Sequence, residues 1–137
     1  LTYKVLKNVT TGLLYGDTIL PEDDDVLNGL VGYALTTIAM KTDSLHLMTL
    51  NAQGDILRLA QGDYMIRVPV TPVLDNDYID IDEELVPAVA RLLASYVSTT
   101  KGGIHVNAAD RIMLDYNAKT SELIESFKIN EDGSYDV

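Results

Sequence analysis

The stretch DNDYIDIDEEL, Asp75 to Leu85, places six carboxylates in its first ten residues. Three readings compete for it: a metal loop, an acidic binding face, or turns and a helix start. A calcium loop of the EF-hand type needs oxygen ligands at positions 1, 3 and 5, Gly at 6 and Glu at 12. Counted from Asp75, positions 1 and 3 are Asp75 and Asp77, but position 5 is Ile79, position 6 is Asp80 and position 12 is Val86. The metal pattern therefore fails at three landmarks. The helix-start reading explains more. Asp82 is placed to cap a helix, with Glu83 and Glu84 in its first turn, where the helix dipole favours negative charge. Asp80 with Glu83 is a capping-box-like alternative. Before the cap the residues alternate as in a strand: Ile79 and Ile81 point inward, and Tyr78, Asp80 and Asp82 point outward. Pro87 falls late for a first turn, so the helix starts with a tight turn or only at Pro87.

Helical patterns lie on both sides. Downstream, Leu85, Val89, Leu92, Leu93, Tyr96 and Val97 form one apolar stripe, and Lys101-Gly102-Gly103 supplies a basic last turn and a stop. A second helix is expected from Asn107, its N-cap, with Ala109, Ile112, Met113, Tyr116, Leu123, Ile124 and Phe127 on its inner face. It would be ~30 Å long. Upstream, Leu27, Leu30, Val31, Ala34, Leu35 and Ile38 repeat at helical spacing, with Pro21 and the acids Glu22 to Asp25 at the start. Gly29 and Gly32 on this helix either let another backbone approach or are tolerated weak spots. Residues 2–11 read as a short helix with Val5, Leu6 and Val9 on one face, and a strand reading is nearly as good.

Between the helical pairs the period changes to two. SLHLMTL, ILRLA and YMIRVPV are separated by Gly-containing turns, the signature of an antiparallel meander over about residues 44–72. Pro69 confines the third run to an edge. The expected fold is α+β: one domain over residues 1–137, a small bundle of three to four helices with an inserted β-meander and an extended tail over about 129–137.

Composition narrows the function. The 137 residues are 47% hydrophobic and 23% charged, enough to bury a core. There is no cysteine, which removes disulfides, thiolate nucleophiles and cysteine-based zinc sites. The opening LTYKVLKNVTTG does not read as a secretion signal, and no apolar run approaches a membrane span. The net charge of −11, with ten basic residues scattered singly, disfavours binding to nucleic acid through phosphates. The sequence contains neither a nucleophile elbow nor a phosphate loop. His46 reads as an exposed strand residue and His105 as a residue just before a helix. The expectation is a protein without cofactor, metal or catalytic residues, acting through contact. Tyr64, Arg67, Tyr78, Tyr116, Ile129 and Tyr135 are the candidate interface residues.

The run from Tyr64 to Phe127 resembles head-to-tail adaptor (connector or head-completion) proteins of tailed bacteriophages. The resemblance is carried by the strand ending YMIRVPVTP, the acidic helix start Glu83-Glu84-Leu85-Val86-Pro87-Ala88, and a later long helix with Ala108, Ala109 and Tyr116. It implies a non-enzymatic virion subunit in a homo-oligomeric ring, usually of twelve copies. Such a ring contacts the portal protein and tail or second connector proteins and lets DNA pass without sequence-specific binding. Its place would be the virion neck, after synthesis in the bacterial host cytoplasm. The alternative is a small cytosolic acidic binding module or accessory subunit that presents Asp75 to Glu84 to a basic partner.

Overall fold

The computed structural model describes residues 1–48 and 66–125. Four α-helices account for most of them: α1 (Tyr3–Leu13), α2 (Asp24–Lys41), α3 (Val86–Val97) and α4 (Gly102–Glu125). Single turns of 3₁₀-helix cover Leu45–Leu47 and Glu83–Leu85.

The centre is α3. Val86, Ala88, Val89, Ala90, Leu92, Leu93 and Ala94 are all buried, so α3 is covered except along the strip of Pro87 and Arg91. It packs most extensively against α4 and then against α1 and α2. Small and branched residues suit this place, because neighbouring helices can approach closely on several sides at once. From α2 come Leu27, Val31, Ala34, Leu35 and Ile38, the stripe read from the sequence. Tyr3 and Leu6 come from α1, and Ala109, Met113 and Tyr116 from α4. Ile79 and Ile81 point inward as the alternation predicts.

The expected α+β architecture is overturned. Among the described residues the fold is helical and contains no strand, only the isolated antiparallel bridges Thr2–Tyr78 and Met48–Ile66. Leu45–Leu47, expected to lie in the first run of the meander, forms a 3₁₀ turn. Ile66 to Pro72 forms no ladder beyond the Met48–Ile66 bridge. Two of its donors are taken elsewhere: the Arg67 N–H donates to the Leu47 carbonyl at 2.9 Å, and the Val70 N–H to an Asp80 carboxylate oxygen at 2.7 Å. Pro69 and Pro72 have no N–H to give. The rest of the expected meander, including ILRLA, lies outside the described residues, as does the expected tail.

Several boundaries also differ. α2 starts at Asp24, because the Asp23 side chain accepts from the Asp25 and Val26 N–H groups and caps it; Pro21 therefore precedes the helix. α4 starts five residues before Asn107, so Gly102 and Gly103 open a helix instead of closing one. What stops α3 is Ser98, and Asp17 of the α1–α2 loop holds this corner. Its carboxylate accepts from the Ser98 and Thr99 hydroxyls, both at 2.5 Å, and from the Thr99 N–H at 3.2 Å. On α1 the buried face is Tyr3, Leu6 and Thr10, while Val5 and Val9 are partly exposed. Thr10 can be buried because its hydroxyl donates to the Leu6 carbonyl at 2.8 Å.

Candidate functional site

The acidic segment runs across the helices as a belt, and its carboxylates are consumed in turn. The main chain at its start caps α1: the Tyr3 and Lys4 N–H groups donate to the Asp77 and Asp75 carbonyls at 2.8 and 3.1 Å. These are amides that an isolated helix leaves unsatisfied. Lys7 Nζ reaches the Asp75 carboxylate at 2.5 Å. The Asp77 carboxylate accepts from the Val73 and Leu74 N–H groups, both at 2.9 Å, and closes the preceding turn. These partners hold both carboxyls below their usual range, Asp75 through Lys7 and Asp77 through the two backbone amides.

Asp80 is the most engaged acid. Arg67 Nη1 and Nη2 donate to its two oxygens at 2.5 and 2.6 Å, the fork geometry that suits a carboxylate. His46 Nε2 lies 2.8 Å from Oδ1 and, facing an acceptor, carries the hydrogen. The Arg67 bonds are the main reason its carboxyl sits far below the usual range, with the Val70 amide and His46 adding to them. Asp82 does not cap the following turn with its side chain. Its carboxylate instead accepts from the Ser44 hydroxyl, from the Tyr116 hydroxyl at 2.7 Å and from the His46 N–H at 3.2 Å. Tyr116 Oη in turn accepts from the Leu45 N–H at 3.0 Å. Burial, then the bond to Asp82, raises the Tyr116 hydroxyl far above the ordinary tyrosine range. Glu84 pairs with Lys119 Nζ at 3.1 Å.

Ser44, His46, Asp80 and Asp82 thus lie close together, yet not as a nucleophile–base relay. The Ser44 hydroxyl is fully buried and donates to Asp82, whereas the His46 ring turns to Asp80. A serine nucleophile needs its hydroxyl on the histidine. Asp80, locked as an anion by Arg67, is a poor proton donor. Among the described residues no three His, Asp or Glu side chains converge as a metal site. This geometry holds backbone segments in place.

Of the six candidate interface residues, the structure joins two. Arg67 and Tyr78 line one open depression of about 660 Å³, together with His46, Val70, Thr71 and Asp80. Tyr78 is 77% exposed, with its ring in water. Tyr116 is buried and belongs to the interior, so its expected interface role is corrected to that of a clasp between α4 and the belt. Tyr64, Ile129 and Tyr135 lie outside the described residues. Beside the depression runs a strip that the sequence reading did not single out. Val68, Val70, Val73 and Leu74 are all well exposed, while Pro69 and Pro72 turn inward. The signal was present in PVTPV, where the buried Pro69 and Pro72 stand three apart and Val70 and Val73, three apart as well, are left to the exposed side.

The molecule defined by these observations is a helical cluster around one buried helix, clasped by an acidic belt and edged by an apolar strip. No family model matches the chain, and neither a curated protein nor a solved structure is significantly similar to it. No described helix is long and apolar enough to cross a membrane.

Proposed function

We propose that the protein is a structural subunit of a head-to-tail adaptor ring in a tailed bacteriophage. It would dock between portal and tail and form part of the DNA channel in the virion neck. The observation that supports this reading best is the exposed apolar strip Val68 to Leu74 with Tyr78. Apolar side chains held outward in a row by prolines, on a chain pinned through Arg67 and Val70 to Asp80, form a preorganised contact surface. Net charge is in keeping with the channel: twelve copies would carry about −130, and a lumen lined with part of it repels passing DNA. The Tyr64–Phe127 resemblance supplies the class of partner.

The rival reading, an acidic module that offers Asp75 to Glu84 to a basic partner, loses ground for a specific reason. Asp75, Asp80 and Glu84 already have their cations, and Asp77 and Asp82 their hydrogen-bond donors.

Mixing the purified protein with portal rings, or with DNA-filled heads that lack tails, tests the proposal. Stable co-sedimentation is expected, together with loss of most of it in Val70→Asp and Tyr78→Ala. A protein that ignores portal and heads under all conditions would refute the adaptor reading. Salt-sensitive capture by a basic partner through the belt would favour the acidic module instead.

A further inference from the structure

α3 is covered on three sides and open on the fourth. Its Tyr96 ring meets Tyr33 of α2 edge-on, with centroids 5.5 Å apart, which marks the side that faces α2. Pro87 stands nine residues earlier, about half a turn round the helix, so it looks away from α2. Pro87 is exposed, and Arg91, one turn further on, is partly exposed. Two depressions border this open strip. One is wholly apolar and lies towards α1, between Val5, Val9, Val86, Pro87 and Ala90. The other, of about 440 Å³, lies towards α4, between Arg91, Ile104, Asn107, Ala108 and Arg111. Ile104 is 64% exposed.

This face carries unmatched positive charge in a protein of net charge −11. Lys7, Lys41, Arg67 and Lys119 each pair with a carboxylate. Arg91 and Arg111 pair with none among the described residues; Arg91 instead donates to His105 Nδ1 at 3.1 Å. The opposite combination stands at the start of α2. Glu22, Asp24 and Asp25 are exposed and form no described ion pair, and Ile19 and Val26 beside them are exposed as well. One surface is apolar with two guanidinium groups, and the other is apolar with three carboxylates.

We infer that the open face of α3, between α1 and α4, docks the start of α2 from a second copy of this chain. The two surfaces are different patches of one molecule, and α2 lies on the side of α3 away from the open face. The contact is therefore heterologous: each copy receives one neighbour and offers itself to the next, which gives a ring when the rotation closes and a filament when it does not. The inference deepens the adaptor reading and rests on it for ring closure, but the contact is tested without portal.

The test is a charge swap followed by sedimentation at low ionic strength, where surface charges are least screened. Arg111→Glu damages only the receiving face. Glu22→Lys with Asp25→Lys damages only the offered one and leaves the Asp23 cap in place. Wild-type protein is expected to self-associate as its concentration rises towards ~500 µM, and each variant to do so at least about tenfold more weakly. An equimolar mixture of the two variants should form a 1:1 complex that does not grow, because each retains one intact surface. Circular dichroism checks that the variants are folded; Arg111→Ala and Glu22→Gln with Asp25→Asn replace any that is not. Three results would overturn the inference: a wild type that stays monomeric throughout, variants that associate as tightly as wild type, or a mixture with no complex. Association that survives both swaps but is lost on removal of residues 126–137 would assign the face to that segment and also overturn it. Self-association through these surfaces without portal binding would sink the adaptor reading alone. Portal binding with unaffected variants would sink this inference alone.

Discussion

Asp80 and Tyr116 show how single side chains hold the belt. Asp80 is mostly buried and accepts from Arg67, His46 and the Val70 amide. In Asp80→Asn an amide group must face at least one donor, so Asp80→Asn should lower unfolding free energy by about 1–3 kcal/mol in urea melts. Arg67 is itself nearly half-exposed, so Arg67→Ala should fall at the low end, about 1 kcal/mol. Tyr116→Phe removes the clasp and leaves the Leu45 N–H without its acceptor, also a loss of about 1–3 kcal/mol. Two tyrosines set an alkaline limit. Burial, with Asp24 and Asp75 adding to it, pushes the Tyr3 hydroxyl up from 10.0 to about 12, and Tyr116 is raised in the same direction. A raised pKa means that the folded state favours the neutral phenol. The stability so gained is full below about pH 10 and is lost as the pH rises through the folded values. Unfolding midpoints should therefore fall steeply between pH 10 and 12, and Tyr3→Phe should shift that fall. A flat profile there would contradict the assignment.

At the scale of elements, α2 offers a comparison within one helix. A Cβ on Gly32 would lie 2.6 Å from Thr71 Oγ1 and 3.4 Å from its Cγ2, whereas one on Gly29 meets nothing within 4 Å. Relief requires Thr71 to leave its present rotamer or its segment to shift. Gly29→Ala should therefore stabilise by up to about 1 kcal/mol through helix propensity. Gly32→Ala should instead cost about 1–3 kcal/mol, because the Thr71 side chain must be displaced from its place on the helix. Equal effects in thermal melts would mean that Thr71 does not rest on α2. The same contact shows what was legible in the sequence. The stripes of α2 and α3 follow from their period, and of the two starts that Pro87 left open for α3 the structure has the one with a tight turn before it. The face of α1 was misread, because Thr10 hides its hydroxyl inside the helix and so occupies a position that a hydrophobicity pattern gives to Val5 or Val9. The start of α4 was misplaced, because Gly102-Gly103 reads as a stop unless Asp17, some eighty residues away in sequence, is known to hold the corner. The period-two reading of 44–48 and 66–72 misled: Leu45–Leu47 is a 3₁₀ turn, and in 66–72 the inward residues are Pro69 and Pro72, three apart, without a partner strand. The site itself was not legible: Asp80 meets Arg67 across thirteen residues and Asp82 meets Ser44 across thirty-eight, and no local period records such pairings.

For the whole molecule, the pairing of α3 with α4 is the largest contact, and one histidine sits inside it. His105 is 3% exposed, and its Nε2 has no partner among the described residues. Burial lowers its pKa first, then Arg91 and Lys101, while Asp17 opposes the shift. Arg91 donates to Nδ1, so the ring is neutral with its hydrogen on Nε2. Unfolding frees the ring to take up a proton near its ordinary 6.5. The unfolded chain thus binds more protons as the pH falls, and the stability His105 contributes is full above about 6.5 and declines through its lower folded value. The carboxylates act later. Asp80 is strongly depressed, and hydrogen bonds from Ser98 and Thr99 lower Asp17 from 3.8 to about 2. What they contribute is full above about pH 4 and is lost only below it. Acid unfolding should therefore show two regions: a gentle decline beginning near pH 6.5 and a steep one below pH 4. His105→Gln keeps an acceptor for Arg91 but cannot titrate, so it should remove the first region and leave the second. If the early decline persists in His105→Gln, the coupling of this histidine to the α3–α4 contact is wrong, and the loss must start elsewhere in the belt.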